Sequence, residues 1–238
     1  MNKLKLFLEN FLVYGLGGTI SKVIPLIMVP VVTRLMPDTS YYGISDMATT
    51  LVSLCSSLAV MGMYDAMYRM FFEKGDNVYR KEICSTAFYF TLVTSFIVFI
   101  VMIFFRNIIA DVFFKNRDYA YLVYITSIST LVGATNSIVS APTRMQNQRK
   151  RYIAMHVLSP LLSYSISVPL LLKGYYIIAL PLAGMIAAFS CEMIFAGMNR
   201  KWFSAKLFKA EHLKPLLTIG IPLFPNFLIY WLFNSCYG

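Results

Sequence analysis

The sequence predicts an all-α membrane protein, a polytopic bundle of six complete transmembrane helices followed by a truncated seventh. Of the 238 residues, 58% are hydrophobic and only 13% are charged, which leaves too few polar groups to cover a water-soluble domain. The hydrophobic residues also form blocks of about 20, the length that a helix needs to cross ~30 Å of hydrocarbon. These observations exclude an ordinary soluble enzyme, a secreted disulfide scaffold and a disordered chain.

Seven hydrophobic segments follow one another along the chain. They are Leu12–Leu35, Tyr41–Met63, Ile83–Phe105, Tyr119–Ala141, Ile153–Leu172, Ile177–Met198 and Leu216–Ser235. The first is too long for a removable signal peptide and lacks a small-residue cleavage site, so we expect it to remain as a helix. Several segments contain proline, which a bundle tolerates because neighbouring helices and small polar side chains satisfy the carbonyl groups that proline frees.

The net charge of +10 predicts the orientation of the chain. The basic residues lie between the hydrophobic segments rather than along one face, so we expect no nucleic-acid partner. If the N-terminus is cytoplasmic, fifteen Lys and Arg residues lie on the inside and five on the outside. The positive-inside rule therefore predicts a cytoplasmic N-terminus.

The order of segments predicts three parts. Residues 1–200 form a six-helix lobe, residues 201–215 a basic cytoplasmic connector, and residues 216–238 the first helix of an incomplete second lobe. Because the seventh segment has no flanking anchor, we expect the chain to be the N-terminal part of a longer protein. Alternating access needs two lobes, so we do not expect this part to transport a substrate alone.

Motifs for catalysis, cofactors and metals are absent from the sequence. It contains neither a GxxxxGK[ST] nor a GxGxxG loop, and neither HExxH nor GxSxG. The cysteines form no CxxC pair and lie in or beside hydrophobic segments, where they are expected to act as small packing residues. They are Cys55, Cys84, Cys191 and Cys236. We therefore predict neither an enzyme nor a bound cofactor or metal.

Small and polar residues recur every three or four positions in four of the segments, which places them on one face of each helix. The four stripes are Gly15, Gly18, Lys22 and Pro25; Gly43, Asp46, Thr50, Ser53 and Ser57; Ser127, Thr130, Ala134, Ser137 and Ala141; and His156, Ser159, Ser163 and Ser167. Small residues allow helices to pack closely and to form hydrogen bonds across the contact. The same stripes would also suit a hydrated pathway for a polar substrate, and the sequence leaves both explanations open.

Lys22 lies near the middle of the first hydrophobic segment. A charged side chain there costs roughly 2.5–3.5 kcal/mol on insertion scales, and the ~15 Å to either surface exceeds the reach of lysine. We therefore expect Lys22 to face a cavity, a carboxylate or a phosphate. Asp46 lies nearer the outer surface, where it could pair with Lys22, bind a cation or be hydrated.

Three runs of residues match a known pattern in chain order. Val32-Thr33-Arg34-Leu35 is followed by Tyr42-Gly43. Met61-Gly62-Met63 is followed by Ala66-Met67-Tyr68-Arg69, and Gly220-Ile221-Pro222-Leu223-Phe224-Pro225 by Tyr230-Trp231 and Asn234-Ser235. The combination resembles the N-terminal part of the polysaccharide-biosynthesis flippases, which belong to the multidrug, oligosaccharidyl-lipid and polysaccharide exporter superfamily.

The resemblance implies a multi-pass protein of the bacterial inner membrane that translocates an undecaprenyl-diphosphate-linked oligosaccharide for O-antigen or capsule biosynthesis. It implies a central cavity between two lobes, coupling to a Na⁺ or H⁺ gradient, surrounding membrane lipids and glycan polymerase or assembly proteins as partners. On this interpretation, Lys22, Arg34, Asp46 and Arg69 bind the substrate, with the three cations attracting its phosphates. Arg34 and Arg69 would equally serve as anchors to lipid phosphates.

Two other functions remain open at this stage. A cation-coupled multidrug antiporter of the same superfamily would favour an acidic central site, whereas the central charge here is Lys22. An integral-membrane enzyme of glycan assembly would need large catalytic loops or an acid–base cluster, and the loops of this chain are short.

Overall fold

The computed structural model describes residue 19 and residues 22–236, with side chains described up to residue 225 and at residue 229. Within this part, all regular secondary structure is helical. Helix α1 comprises residues 22–35. The remaining helices are α2 (Ser40–Val60), α3 (Met63–Phe71), α4 (Asn77–Phe104), α5 (Arg106–Phe114), α6 (Ala120–Met145), α7 (Arg149–Leu172), α8 (Ala179–Asn199) and α9 (Ala210–Cys236).

Five segments of the described chain are helical, long and apolar enough to cross a membrane. They are Ser40–Val60, Asn77–Phe104, Arg117–Met145, Arg149–Leu172 and Ala179–Trp202. The prediction of an all-α, multi-pass membrane bundle is confirmed at this level. The count of six spans with a truncated seventh stays a prediction, because the first hydrophobic segment begins at Leu12, outside the described residues.

Two short helices, α3 and α5, were not expected from the hydropathy pattern. The predicted second span ends at Val60 instead of Met63, because Met61 and Gly62 both adopt the left-handed conformation, with φ of 49° and 70°. Helix α3 then leaves at a new angle and buries its apolar face, including Met63 and Met67. A uniformly apolar stretch does not reveal such a change of direction.

Helices α4 and α9 each begin six residues earlier than predicted. Helix α4 begins at Asn77 instead of Ile83, because the Asp76 carboxylate accepts hydrogen bonds from the backbone N–H groups of Val78 and Tyr79, at 3.1 and 3.4 Å. This is an N-terminal cap, which satisfies donors that have no partner inside the helix. Helix α9 begins at Ala210, inside the predicted connector, so its first turn is polar and escaped the hydropathy criterion.

Helix α6 lies at the centre of the bundle, against α2, α4 and α8. Its residues Ser127, Thr130 and Ala134 are fully buried. The hydroxyl of Thr130 donates to the carbonyl oxygen of Thr126 at 2.8 Å, inside its own helix. This half of the α6 stripe is therefore explained by close helix packing.

The two ends of the bundle differ in charge. The basic end holds α3, the α6–α7 turn and the segment 200–209, and the far end holds α5 and the α7–α8 turn. The basic residues of the basic end are Arg69, Lys74, Arg80, Lys81, Arg144, Arg149, Lys150, Arg151, Arg200, Lys201, Lys206, Lys209 and Lys214. Those of the far end are Arg34, Arg106, Lys115, Arg117 and Lys173. A cytoplasmic basic end remains a prediction.

The segment between α8 and α9 is attached to α4 by two hydroxyl groups. The Ser85 hydroxyl donates to the carbonyl oxygen of Trp202 at 3.0 Å and accepts from the N–H of Ser204 at 3.1 Å. The Thr86 hydroxyl accepts from the N–H of Lys209 at 3.1 Å. The predicted connector therefore packs against the lobe and holds the start of α9 beside it.

Helix α9 crosses the α2–α3 turn at a contact between two glycines. A Cβ atom added to Gly62 would overlap the carbonyl oxygen of Gly220, and one added to Gly220 would lie 2.9 Å from the carbonyl oxygen of Met61. Glycine at both positions is what allows these backbones to touch. Two of the runs that carried the family resemblance, 61–63 and 220–225, thus meet in space.

Candidate functional site: a polar groove along the bundle

Three neighbouring pockets lie along α7, from the far end of the bundle towards the basic end, and each carries several polar side chains; together they are called the groove. The volumes of the three pockets are about 210, 370 and 470 Å³. The first two share Ser163, Tyr164 and Gly184, and the last two share His156. The shared residues place the three pockets next to one another along α7.

The far-end pocket lies between α1, α2, α7 and α8. Its polar lining consists of Tyr42, Ser45, Asp46, Thr49, Ser163 and Tyr164. Asp46 is exposed and is the one carboxylate of this lining. No ion pair joins it to Lys22 in the part of the chain that the structure describes, so the far-end pocket has an acidic character.

The middle pocket lies between α1, α7 and α8. Pro25 of α1 and Pro160 of α7 line it together with His156, Ser159 and Ser163. None of its lining residues is a carboxylate, lysine or arginine. Hydroxyl groups therefore connect the two ends of the groove through a section without a fixed charge.

The basic-end pocket lies between α2, α3, α6 and α7. One side carries the hydroxyl and amide groups of Ser56, Ser57, Asn136, Ser137 and Ser140. The other side carries Tyr64, Tyr152 and His156, and Arg144 lies at its rim. The rings of Tyr152 and His156 are 4.2 Å apart between centroids. This pocket combines a cation, aromatic faces and a hydrogen-bonding wall.

Arg144 is held by a phenol rather than by a carboxylate. Its Nη1 donates a hydrogen bond to the Tyr64 hydroxyl at 3.0 Å. Burial raises the pKa of the Tyr64 phenol, against the opposing effect of Arg144, so Tyr64 is neutral at neutral pH. Within residues 22–225, Arg144 forms no ion pair with a carboxylate. Its positive charge is therefore oriented but not neutralised.

Asp65 interacts electrostatically with Arg144 at the rim of this pocket. Burial raises the pKa of its carboxyl group, and the Arg144 guanidinium opposes that increase. Asp65 precedes the buried Ala66 on α3 and is absent from the residues that line the pocket. It moderates the field at the rim without occupying the pocket.

The structure does not bring the four predicted binding residues into one site. Asp46 lines the far-end pocket. Arg34 is exposed on the last turn of α1 and Arg69 is exposed on α3, at opposite ends of the bundle. Lys22 is exposed on α1, one turn before Pro25, which lines the middle pocket. Their roles in binding stay predictions.

The predicted polar stripes divide between the groove and the helix contacts. The groove is lined by Pro25, Asp46, Ser57, Ser137, Ala141, His156, Ser159 and Ser163. Ser127, Thr130, Ala134 and Ser167 are instead buried between helices. Gly15 and Gly18 lie outside the described residues. Close helix packing therefore explains the buried residues, and a hydrated pathway stays a prediction for those that line the groove.

Arg144, Tyr64 and Tyr152 were not predicted as site residues. Arg144 was counted only as a topology signal, yet it continues the α6 stripe by one turn beyond Ala141. Extending the helical periodicity past the end of the apolar segment would have placed it on the face of Ser137 and Ala141. Tyr64 and Tyr152 had no comparable signal, since they reach the pocket from α3 and α7.

The five apolar helices of the described chain that are long enough to cross a membrane define this chain as a multi-pass helical membrane protein. Residues 31–238 match a family described as polysaccharide biosynthesis protein. The chain belongs to this family, and the resemblance predicted from its motifs is confirmed. No curated protein and no solved structure matches the chain.

Proposed function

We propose that the protein is a flippase, or the N-terminal lobe of one, for an undecaprenyl-diphosphate-linked oligosaccharide at the bacterial inner membrane. The observation that carries the proposal is the polar groove, which follows membrane-spanning helices in a member of a polysaccharide-biosynthesis family. A glycan headgroup needs hydrogen bonds in place of water as it crosses the hydrocarbon layer. The lipid tail does not, and it would remain in the surrounding bilayer.

The lining supports transport rather than catalysis. Translocation breaks no covalent bond, and hydroxyl groups such as those of Ser159 and Ser163 can exchange hydrogen bonds with successive sugars. Asp46 is the candidate for coupling to a H⁺ or Na⁺ gradient, because it is the carboxylate of the far-end pocket. Supply to O-antigen or capsule biosynthesis, and contact with a glycan polymerase, belong to the same proposal.

A blocking substitution in the native gene tests this proposal. Ser163→Trp would fill the junction of the far-end and middle pockets, whereas Leu161→Trp, on the same helix at an exposed position, would leave the groove open. We expect Ser163→Trp to abolish surface polysaccharide and to accumulate lipid-linked oligosaccharide, with Leu161→Trp behaving like the wild type. Normal surface polysaccharide in Ser163→Trp at equal protein abundance would contradict a pathway through this groove.

The second candidate is a cation-coupled multidrug antiporter, which the acidic far-end pocket favours. Asp46 would then attract a cationic drug. An ethidium efflux assay separates the two functions, because Asp46→Asn would abolish efflux by an antiporter. If the protein is a flippase, as we propose, we expect ethidium efflux to be the same in the wild type and in Asp46→Asn.

A further inference from the structure

We infer that the basic-end pocket receives the diphosphate and the first sugar of the lipid-linked glycan, an assignment that rests on the proposed function. Arg144 would bind the phosphates, and the Asn136 amide would form a hydrogen bond with the first sugar. A basic surface that only attracts phosphate would need Arg144 but not Asn136. The two residues together make the pocket specific for a sugar diphosphate.

The first step concerns the charge at the rim. The Arg144 guanidinium donates a hydrogen bond to the Tyr64 hydroxyl, and a neutral phenol leaves its positive charge available. A planar guanidinium forms paired hydrogen bonds with phosphate oxygens. Tyr64 would act as a positioning residue that keeps the guanidinium at the pocket.

The second step concerns an unsatisfied amide inside the pocket. The Oδ1 atom of Asn136 is buried and accepts no hydrogen bond from any described residue, although Asn136 lines the pocket. A buried polar atom without a partner is costly and rare. A sugar hydroxyl, which both donates and accepts, would satisfy the Oδ1 atom once the side chain turns that atom towards the pocket.

The third step concerns spacing. Asn136, Ser140 and Arg144 follow at intervals of four residues on one face of α6, so the Cα atoms of Asn136 and Arg144 are separated by ~12 Å along the helix axis. This length suits a diphosphate followed by one sugar ring. The pocket volume of about 470 Å³ lies in the usual range for small-ligand sites.

The fourth step concerns the opposite wall. The rings of Tyr152 and His156 lie against each other there, and such faces pack against the apolar side of a sugar. The far-end pocket also carries aromatic side chains, Tyr42 and Tyr164, but its Asp46 carboxylate would repel a diphosphate. The phosphates are therefore assigned to the basic end.

The test measures binding to the purified chain in phosphatidylcholine nanodiscs. The probes are farnesyl diphosphate and farnesyl-diphosphate-linked N-acetylglucosamine, and the variants are Arg144→Gln, Asn136→Leu and Lys150→Gln. Lys150 is an exposed basic residue of the α6–α7 turn region outside the pocket lining, so it controls for surface charge. Thermal unfolding of each variant is recorded without probe.

We expect Arg144→Gln to weaken both probes at least tenfold and Lys150→Gln to weaken them less than twofold. Asn136→Leu should leave farnesyl diphosphate unchanged and weaken the glycosylated probe about fivefold. It should also raise the unfolding temperature of the free protein, because the unsatisfied acceptor is gone. A structural role for Asn136 alone would lower that temperature.

Other outcomes separate the two levels of the assignment. If Asn136→Leu binds the glycosylated probe as tightly as the wild type does, the sugar contact is overturned. If Arg144→Gln binds both probes as tightly as the wild type does, the phosphate contact is overturned. Neither result contradicts the proposed function. Displacement of farnesyl diphosphate by phosphatidylglycerol at equal concentration would identify a lipid anchor and overturn the assignment. A folded wild-type chain that binds neither probe would contradict the proposed function itself.

Discussion

The far-end and basic-end pockets belong to one groove but differ in charge. The far-end pocket carries Asp46, whereas the basic-end pocket carries Arg144, and hydroxyl groups connect them. An anionic headgroup would therefore bind at one end and be released at the other, where the carboxylate repels it. The difference teaches that two neighbouring pockets of one helical bundle can favour ligands of opposite charge.

The largest effect is expected from reversing the charge of the basic-end pocket. Arg144→Glu should abolish surface polysaccharide, because a carboxylate beside the aromatic wall would repel the diphosphate. Lys150→Glu changes the net charge of the same end by the same amount and should retain export. Immunoblotting for surface glycan, normalised to protein abundance, checks both. If Arg144→Glu exports polysaccharide at the wild-type level, the charge difference between the two pockets plays no part in transport.

Removing the charge of Lys22 on α1 tests whether cations other than Arg144 contribute to binding of the substrate. Lys22→Ala should insert normally but lose most export, and Lys22→Arg should keep part of it, because the charge remains while the compact ammonium group does not. Accumulated lipid-linked oligosaccharide provides the readout. Normal export in Lys22→Ala at normal abundance would show that Lys22 is structural.

Making both ends cationic would sharpen the comparison. Asp46→Arg should slow export by about tenfold, equivalent to about 1.4 kcal/mol, since the headgroup would then be retained at the far end. Asp46→Asn removes the repulsion without adding attraction and should have a smaller effect. Initial rates of headgroup translocation in reconstituted vesicles separate the two variants. Equal rates would show that the far-end pocket does not influence release.

A smaller effect is expected from the backbone that shapes the basic-end pocket. Gly62 lines this pocket and touches Gly220, so Gly62→Ala should destabilise the protein by roughly 1–3 kcal/mol through overpacking and its positive φ. Gly43, which has open space around its Cα, provides the matched control, Gly43→Ala. Unfolding followed by circular dichroism in detergent measures the difference. Equal stability of the two variants would mean that the glycine contact is not needed.

The smallest effect concerns the attachment of the segment before α9. Ser85→Ala removes hydrogen bonds to Trp202 and Ser204 and should cost about 1–2 kcal/mol. It lies away from the groove, so binding of farnesyl diphosphate should be unchanged. Faster proteolysis between α8 and α9 would report the loosened attachment. Altered probe affinity would connect this segment to the groove.

The class of the fold and its family were predictable from the sequence alone. Membrane thickness requires each crossing helix to carry its own apolar block, and that requirement is local, so the blocks at Tyr41–Met63 and Ile153–Leu172 could be recognised without a structure. The motifs 61–63 and 220–225 carried the resemblance to the family. The breaks at Met61 and Gly62 were missed because hydropathy is insensitive to the backbone direction.

The site required the tertiary structure. Thr130 and Ser137 belong to one stripe on α6, yet the first is buried in a helix contact and the second lines the groove. Helical periodicity defines a face of a helix, but not which neighbour covers that face. Likewise, the sequence identified Arg144 only as one of the basic residues that predict the membrane orientation of the chain. The packing of α3 against α6 placed Tyr64 beside it. Contacts between residues far apart in the chain decide which polar groups meet, because they depend on how the helices pack rather than on any single segment.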